Sequence, residues 1–197
     1  MMMLKHTQPR LGLVLDASVI INLLGSGCAE TILAAMPMRC LVVNETRKEV
    51  RVHPLERTKM GDPVAPLLDL GVLEQVSLSE HSLAMFMKLV GAPGTDALDD
   101  GEAAALAVAH DLKLTVAIDE KKGRRIAREQ LPEVEVLSTV DIFALPEIAA
   151  ELGDRLSDAI FSALLYARMR VHPEREAWVR LIVGEHVAQC PSLKLRP

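Results

Sequence analysis

The sequence predicts an α/β protein in which helices flank a central parallel sheet. Half of the 197 residues are hydrophobic but only 3% are aromatic, so the core must be aliphatic, as is usual where helices pack on a parallel sheet. Short apolar runs that predict buried strands alternate with segments of helical periodicity. Strands joined through helices form parallel crossovers, and the sequence therefore predicts a three-layer fold.

Glycine or proline ends several of the predicted helices. The predicted strands cover residues 11–15, 40–43, 72–78, 113–118 and 134–137. The predicted helices cover residues 17–24, 29–36, 45–52, 64–70, 80–90, 99–111 and 120–130, and a further helix starts at Thr139. Asn44 and Ser79 are predicted to cap the helices that follow them.

The chain divides into a sheet-containing domain at 11–145 and a helical C-terminal extension at 146–197 that packs on the domain or on a partner. The extension carries an apolar stripe at helical spacing. The stripe contains Leu152, Leu156, Ala159, Ile160, Ala163, Leu164 and Ala167. Such a stripe must be buried against the sheet or across the two-fold axis of a homodimer, and we favour the dimer.

The net charge and the cysteines argue against a strongly basic protein and against a disulfide-bonded secreted protein. The net charge of −5 excludes a general polycation, so nucleic acid must be held by a local basic patch or by bound metal. Three widely separated cysteines fit a reduced, cytoplasmic protein. The apolar stretch 11–24 contains Asp16, which argues against a signal peptide or a membrane span. We expect no membrane association.

Acidic residues follow two of the predicted strands. Asp16 comes directly after the strand at 11–15, and Asp119 directly after the strand at 113–118. Open parallel sheets bind their ligands at the carboxyl ends of the strands. We therefore expect both carboxylates to lie at the same edge of the sheet.

Two glutamates are predicted to face that edge as well. Glu102 lies in the first turn of a helix, four residues before Leu106, so the two side chains share a face. Leu106 must be buried, and Glu102 therefore faces the sheet rather than solvent. Glu49 lies on the helix that directly follows the strand at 40–43.

Carboxylates that converge in apolar surroundings repel one another unless a cation is present. A set of oxygen ligands selects the hard ions Mg²⁺ or Mn²⁺, which activate water and stabilise displacement at a phosphodiester. The sequence therefore predicts a divalent metal site in which Asp16, Glu49, Glu102 and Asp119 are the ligands and the catalytic residues.

Each acid also has a purely structural interpretation. Asp16 and Asp119 would be N-caps of the helices that follow them. Asp99 and Glu102 would form an acidic capping box, and Glu49 would be a solvated helix residue. Only convergence of the four side chains favours the metal site over these alternatives.

Four segments carry a resemblance to a known family. They lie at residues 13–20, 42–50, 98–107 and 117–127, and each contains one of the four acids. In this order they resemble the acidic motifs of PIN domains, in the VapC-like and DUF3368-like branch. The intervals of 33, 53 and 17 residues between the acids suit that family.

The resemblance covers about residues 11–143 and implies a PIN-like fold. It implies a Mg²⁺- or Mn²⁺-dependent endoribonuclease that acts on RNA and is often the toxin of a toxin–antitoxin pair, with an antitoxin protein as partner. Ser18 and Thr139 match the family's small hydroxyl residues and would orient carboxylates or waters from behind the ligands. Asp141 stands where the family commonly has glycine.

A basic helix leaves the acidic edge immediately after Asp119. Among its residues, Lys121, Arg124 and Arg125 are predicted to hold the RNA backbone. The alternative is a solvated helix face with ordinary ion pairs.

Two other functions compete with the nuclease. The same fold with a weak or unused site would act as a protein- or RNA-binding module. A phosphoryl-transfer protein would also place aspartates at strand ends, but a phosphatase of that type needs a second aspartate at position 18, where this chain has Ser18.

Overall fold

A five-stranded, fully parallel sheet forms the centre of the protein. The computed structural model describes residues 12–56, 61–190 and 193. The strands are β1 (Gly12–Leu15), β2 (Arg39–Val43), β3 (Glu74–Val76), β4 (Thr115–Ala117) and β5 (Val136–Leu137). Their order across the sheet is β3-β2-β1-β4-β5, and all four pairings are parallel. The predicted α/β class is confirmed. Leu11, the predicted first residue of β1, lies outside the described residues.

Helices connect the strands and cover both faces of the sheet. The helices between the strands are α1 (Ala17–Gly25), α2 (Ala29–Ala34), α3 (Asn44–Glu49), α4 (Ala65–Asp69), α5 (Glu80–Val90), α6 (Asp100–Asp111) and α7 (Lys121–Gln130). After β5 follow α8 (Thr139–Phe143), α9 (Pro146–Leu152), α10 (Leu156–Tyr166) and α11 (Pro173–Val183). Short 3-10 turns lie at Gly94–Asp96, Gly153–Arg155 and Gly184–Gln189.

Alternate residues of each central strand enter two separate apolar cores, as the period of two along a strand requires. Leu13 and Leu15 of β1 join the core formed with α1, α2, α9 and α10. Val14 joins the core formed with α6 and α7. The sheet therefore separates two helical layers, which is the predicted three-layer arrangement.

The apolar stripe of the C-terminal helices is buried within the chain. Ile160, Ala163 and Leu164 are fully buried in the same core as β1 and α1. The contact is close, because a Cβ added to Gly25 would lie 2.6 Å from the Cβ of Ala167. A dimer therefore needs a different surface, and the homodimer and the division at residue 145 stay predictions.

One predicted cap is wrong and another is confirmed. Helix α3 starts at Asn44 itself, with Val43 as its N-cap, and the Asn44 amide donates to Ser77 Oγ at 2.8 Å instead. The helix also ends at Glu49, before the predicted end, because the backbone of Val50 leaves the helical region and its side chain is buried. Ser79 caps α5 as predicted.

Within the described part of the chain, no helix is both long enough and apolar enough to cross a bilayer.

If α10 is part of the core, Ile160→Ala should lower the free energy of unfolding by about 2–5 kcal/mol, because the truncation leaves a cavity. Leu181→Ala is the control, since that side chain is 79% exposed and its loss should change stability by no more than about 0.5 kcal/mol. Urea denaturation measures both. Equal effects of the two substitutions would mean that α10 does not pack as described.

Candidate active site

Asp16 and Asp119 lie at the same edge of the sheet. Strands β1 and β4 are neighbours, with Leu15 opposite Ala117. The backbone N–H of Asp16 donates to the carbonyl of Ala117 at 3.0 Å. Each acid therefore follows the end of a central strand, and the two strands deliver them to one rim.

The carboxylate of Asp16 is buried and caps helix α1. It accepts hydrogen bonds from the backbone N–H of Ser18 at 3.2 Å and from Ser18 Oγ at 2.6 Å. Burial raises the pKa of Asp16 to about 6, although the bonds from Ser18 oppose this shift. The nearby Asp99 carboxylate raises it further. The cap is real, but it leaves the carboxylate in an electrostatically unfavourable place.

Three donors surround the carboxylate of Asp119. It accepts from the backbone N–H of Thr139 at 2.8 Å, from the Thr139 hydroxyl, and from Asn22 Nδ2 at 2.7 Å. Burial raises the pKa of Asp119, and these bonds lower it in part. The N-cap of α7 is Glu120, so the interpretation of Asp119 as that helix's cap is wrong.

Glu102 is buried at 2% exposure, and it lacks the partners that the other two buried acids have. Neither of its carboxylate oxygens has a hydrogen-bond partner among the described residues. Its backbone N–H donates to Asp99 Oδ1 at 2.9 Å. The predicted capping box is therefore only half formed, because the glutamate side chain does not bond back to the N-cap.

The pKa of Glu102 is raised to about 8. Burial is the largest cause, and the charges of Asp99 and Asp16 add to it, while Lys122 lowers it. Helix α7 approaches closely here, since a Cβ on Gly123 would lie 3.0 Å from Glu102 Oε1. A buried acid without donors requires either a proton or a cation.

Glu49 reaches the start of helix α6. Its Oε1 accepts from the backbone N–H of Gly101 at 2.8 Å. A Cβ at position 101 would lie 2.6 Å from the Glu49 carboxyl carbon, so only glycine admits this contact. Burial raises the pKa of Glu49, and Asp99 and Asp16 raise it further.

The acids are electrostatically coupled but are not arranged as a formed metal site. Asp16 raises the pKa of both Glu49 and Glu102, and Asp99 raises the pKa of Asp16, Glu49 and Glu102. In the described segments, no three His, Cys, Asp or Glu side chains are placed so that they could hold a metal ion. Asp16, Glu49 and Asp119 are each directed to their own protein donors.

The donor set nevertheless fits a hard divalent cation. All four predicted ligands are carboxylates, which Mg²⁺ and Mn²⁺ prefer. The two unpartnered oxygens of Glu102 are buried beside other acids, which is where a positive ion would remove an unfavourable interaction. Binding would require the side chains to turn toward one another.

Three residues near the site were not predicted as its members. Asn22 donates to Asp119, which lies 97 positions later in the sequence. The sequence feature that could have indicated Asn22 is a polar residue within an apolar helix, four residues after Ser18. Asp99 was considered only as a cap. His172 is buried with no partner for Nε2 among the described residues, and no motif pointed to it.

Charges on both sides act on His172. Burial lowers the pKa of its imidazole, and Arg124 lowers it further, whereas Asp119 raises it. His172 therefore lies close to the Asp119 side of the site. It comes from the segment between α10 and α11, so the C-terminal helices take part in building this region.

The predicted RNA-binding residues are placed differently from one another. Arg124 Nη1 donates to the carbonyl of Ile118 at 3.3 Å, directly beside Asp119. Arg125 instead pairs with Asp96 at 2.6 Å and with Glu129 at 2.9 Å. Lys121 is exposed at the start of α7. The structure places Arg124 against the backbone of the residue before Asp119 and pairs Arg125 with two other carboxylates.

The family model DUF3368, described as a PIN domain, matches residues 12–175. The chain belongs to the PIN-domain family. No curated protein and no solved structure matches the chain significantly. PIN domains are generally nucleases and typically use divalent metal ions, so this chain has a nuclease-type fold. The match extends through α10, so the apolar stripe of the C-terminal helices lies within it.

Gly101→Ala should turn the Glu49 carboxylate away and break its bond to the backbone N–H of residue 101, because the added methyl group meets only the far end of that side chain. The lost bond, worth about 0.5–1.5 kcal/mol, should offset most of the stability of about 1 kcal/mol that Ala gains over Gly in a helix. In a Glu49→Ala background the same substitution should raise the free energy of unfolding by about 1 kcal/mol, since no bond is left to lose. Chemical denaturation of the four proteins in the double-mutant cycle tests this. Additive effects would mean that Glu49 and Gly101 are not in contact.

The metal-free protein should become more stable at alkaline pH when Glu102 is replaced by Gln. The folded-state pKa of about 8 lies above the ordinary value of 4.5, so the folded state holds the proton more tightly. The wild type therefore loses stability as the pH rises between these values. Glu102→Gln should lose less stability, because only the raised pKa values of Asp16, Glu49 and Asp119 still act on it. Its advantage over the wild type should reach the order of 3 kcal/mol above about pH 8.

Thermal melts in EDTA across that range measure the difference. Glu151→Gln, an exposed glutamate on α9, is the matched control and should follow the wild type. If Glu102→Gln has the same pH dependence as the wild type, the Glu102 carboxyl is not buried in the protonated form.

Proposed function

We propose that this PIN domain is a Mg²⁺- or Mn²⁺-dependent endoribonuclease that hydrolyses RNA phosphodiester bonds. The observation that carries the proposal is the buried Glu102 carboxylate, whose two oxygens lack partners among the described residues. Burial raises its pKa most, and the charges of Asp99 and Asp16 raise it further. A PIN-domain family match makes a divalent cation the natural group to satisfy it. An ordinary folding role would not leave such a carboxylate unpaired.

The acids have distinct roles in the proposal. Asp16, Glu102 and Asp119 would hold the metal, and Glu49 would either hold a second ion or position the attacking water. A bound divalent ion would lower the pKa of water and polarise the phosphodiester. Glu49 suits the positioning role because it comes from helix α3 rather than from a strand end and is only half-buried.

Hydrogen-bond donors hold two of the acids in place. Ser18 bonds to Asp16, and both Thr139 and Asn22 bond to Asp119. In the proposal these residues orient the metal-binding carboxylates and hold them in place when the metal or the product leaves. Arg124 lies on α7, and its guanidinium donates to the Ile118 carbonyl at the end of β4. In the proposal it would neutralise a substrate phosphate that approaches the acidic rim.

The resemblance to toxins of toxin–antitoxin pairs extends the proposal to biology. An antitoxin protein would be the partner, and the cytoplasm the compartment in which RNA is the substrate. The test of that role is whether production of the chain arrests growth and whether a small protein encoded by a neighbouring gene relieves the arrest.

A second candidate function is a protein- or RNA-binding module with a weak catalytic site. One observation favours it: the acids of the described chain are not arranged to hold a metal. Under this interpretation Glu102 remains protonated, and the site is a remnant.

Asp119→Asn should lower Mn²⁺- or Mg²⁺-dependent cleavage of a mixed RNA pool by at least about 100-fold. Residues that only orient metal ligands cost about 10–100-fold when changed, so a ligand should cost no less than the upper end. The readout is the initial rate of cleavage at saturating metal. Asp158→Asn, an exposed aspartate on α10, is the matched control and should retain the wild-type rate.

Two outcomes would contradict the proposal. Wild-type rates from Asp119→Asn would show that the assigned residues do not carry the chemistry. No cleavage by the wild type, together with no rise in melting temperature on addition of Mn²⁺, would favour the binding module.

A further inference from the structure

A basic cavity lies between helix α7 and the segment that leads into strand β5. It has a volume of about 260 Å³ and is lined by Arg124, Arg128, Pro132, Val134 and Val136. Among the described residues, no acidic side chain lines it. The two arginines are four residues apart on one helix, so they are neighbours on one face.

Among the described residues, no carboxylate forms an ion pair with the arginines of this cavity. Arg125 on the same helix is paired with two carboxylates, whereas the ion pairs of the described chain include neither Arg124 nor Arg128. Arg124 uses one nitrogen for the carbonyl of Ile118. Most of the donors of both guanidinium groups are therefore available to an external anion.

The cavity adjoins the acidic site. Ile118 is the residue before Asp119, so its contact with Arg124 places one wall of the cavity at the end of β4. His172 experiences both Arg124 and Asp119, and its buried Nε2 has no partner in the described segments. Arg124 therefore lies near both the acidic site and the cavity.

The chemistry of the lining selects phosphate rather than bases. Guanidinium groups bind phosphate oxygens in a bidentate fashion, and the apolar floor of Pro132, Val134 and Val136 lowers the local dielectric and strengthens that interaction. The lining contains no aromatic side chain on which a base could stack. A backbone phosphate of a single strand fits this cavity, because it pairs with guanidinium groups and needs no stacking surface.

We propose that this cavity binds the phosphate backbone of the RNA strand beside the scissile bond, through Arg124 and Arg128, and that Arg125 does not take part. The inference rests on the proposed nuclease function for the identity of the strand. It replaces Arg125 of the sequence-based set with Arg128, on the basis of their different partners.

The test is binding of a short fluorescent single-stranded RNA of mixed sequence to the full chain in EDTA, measured by anisotropy at several salt concentrations. Arg128→Gln should weaken binding about fivefold and reduce the slope of log K against log salt by about 0.7, as expected for one lost phosphate contact. Arg128 is exposed, so the substitution should not disturb folding. Arg125→Gln is the matched control and should change binding by less than about twofold.

Three outcomes would overturn the proposed role of the cavity. They are binding by Arg128→Gln as tight as that of the wild type, an equal loss of binding in Arg125→Gln, and no measurable binding by the wild type. Cleavage assays separate this inference from the proposed function. A wild type that binds through Arg128 but cleaves no RNA with any divalent metal would overturn the nuclease and leave the cavity supported. A wild type that cleaves while Arg128→Gln binds and cleaves equally well would overturn the cavity alone.

Discussion

The burial of carboxylates where β1 and β4 end is the constraint on which the rest of this structure depends. Burial is the largest cause of the raised pKa at Asp16, Glu49, Glu102 and Asp119 alike. Each buried acid without a donor costs about 1–3 kcal/mol or more. A protein that retains several of them at one rim must either supply donors or leave room for a proton or a cation.

The surrounding elements supply donors to some of these acids and not to others. Asp16 caps the start of helix α1, and Asn22 of the same helix donates to Asp119. Thr139, the first residue of α8, donates its backbone N–H and its hydroxyl to the Asp119 carboxylate as well. Asp119 therefore joins a strand to two helices. Two glycines, at positions 101 and 123, let helices α6 and α7 approach the carboxylates closely enough to bury them.

The departure from the family pattern at Asp141 has a structural explanation of the same kind. Its carboxylate accepts from the backbone N–H of Ser138 at 2.8 Å and from Arg175 Nε at 2.7 Å. The donors lower its pKa even though burial raises it. Asp141 thus completes the capping box of α8 and ties that helix to α11, which a glycine could not do.

Local patterns were sufficient to predict the sheet and the acids at its edge. An apolar run followed by an acid and then a helical period is visible in sequence, and it placed Asp16 and Asp119 at the ends of adjacent strands. The contacts that depend on packing could not be predicted. Asn22 meets Asp119 only because α1 lies across the sheet edge, and helix position alone does not tell which of Arg124 and Arg125 faces the acids. The covering of the apolar stripe by α1 was likewise a question of tertiary packing.

The acids differ in whether protein donors stabilise their charged forms, and this difference affects how a cation can bind. Asp16 and Asp119 are held by donors that also favour their charged forms, whereas Glu102 has a pKa of about 8 and holds a proton at neutral pH. On the proposed function, a cation must displace that proton, so binding should release it and should weaken as the pH falls. The same cation would offset the negative rim that otherwise repels a phosphate backbone. Arg124 lies at that boundary, with the acids on one side and the basic cavity on the other, so metal uptake and strand binding would be mutually supportive rather than independent.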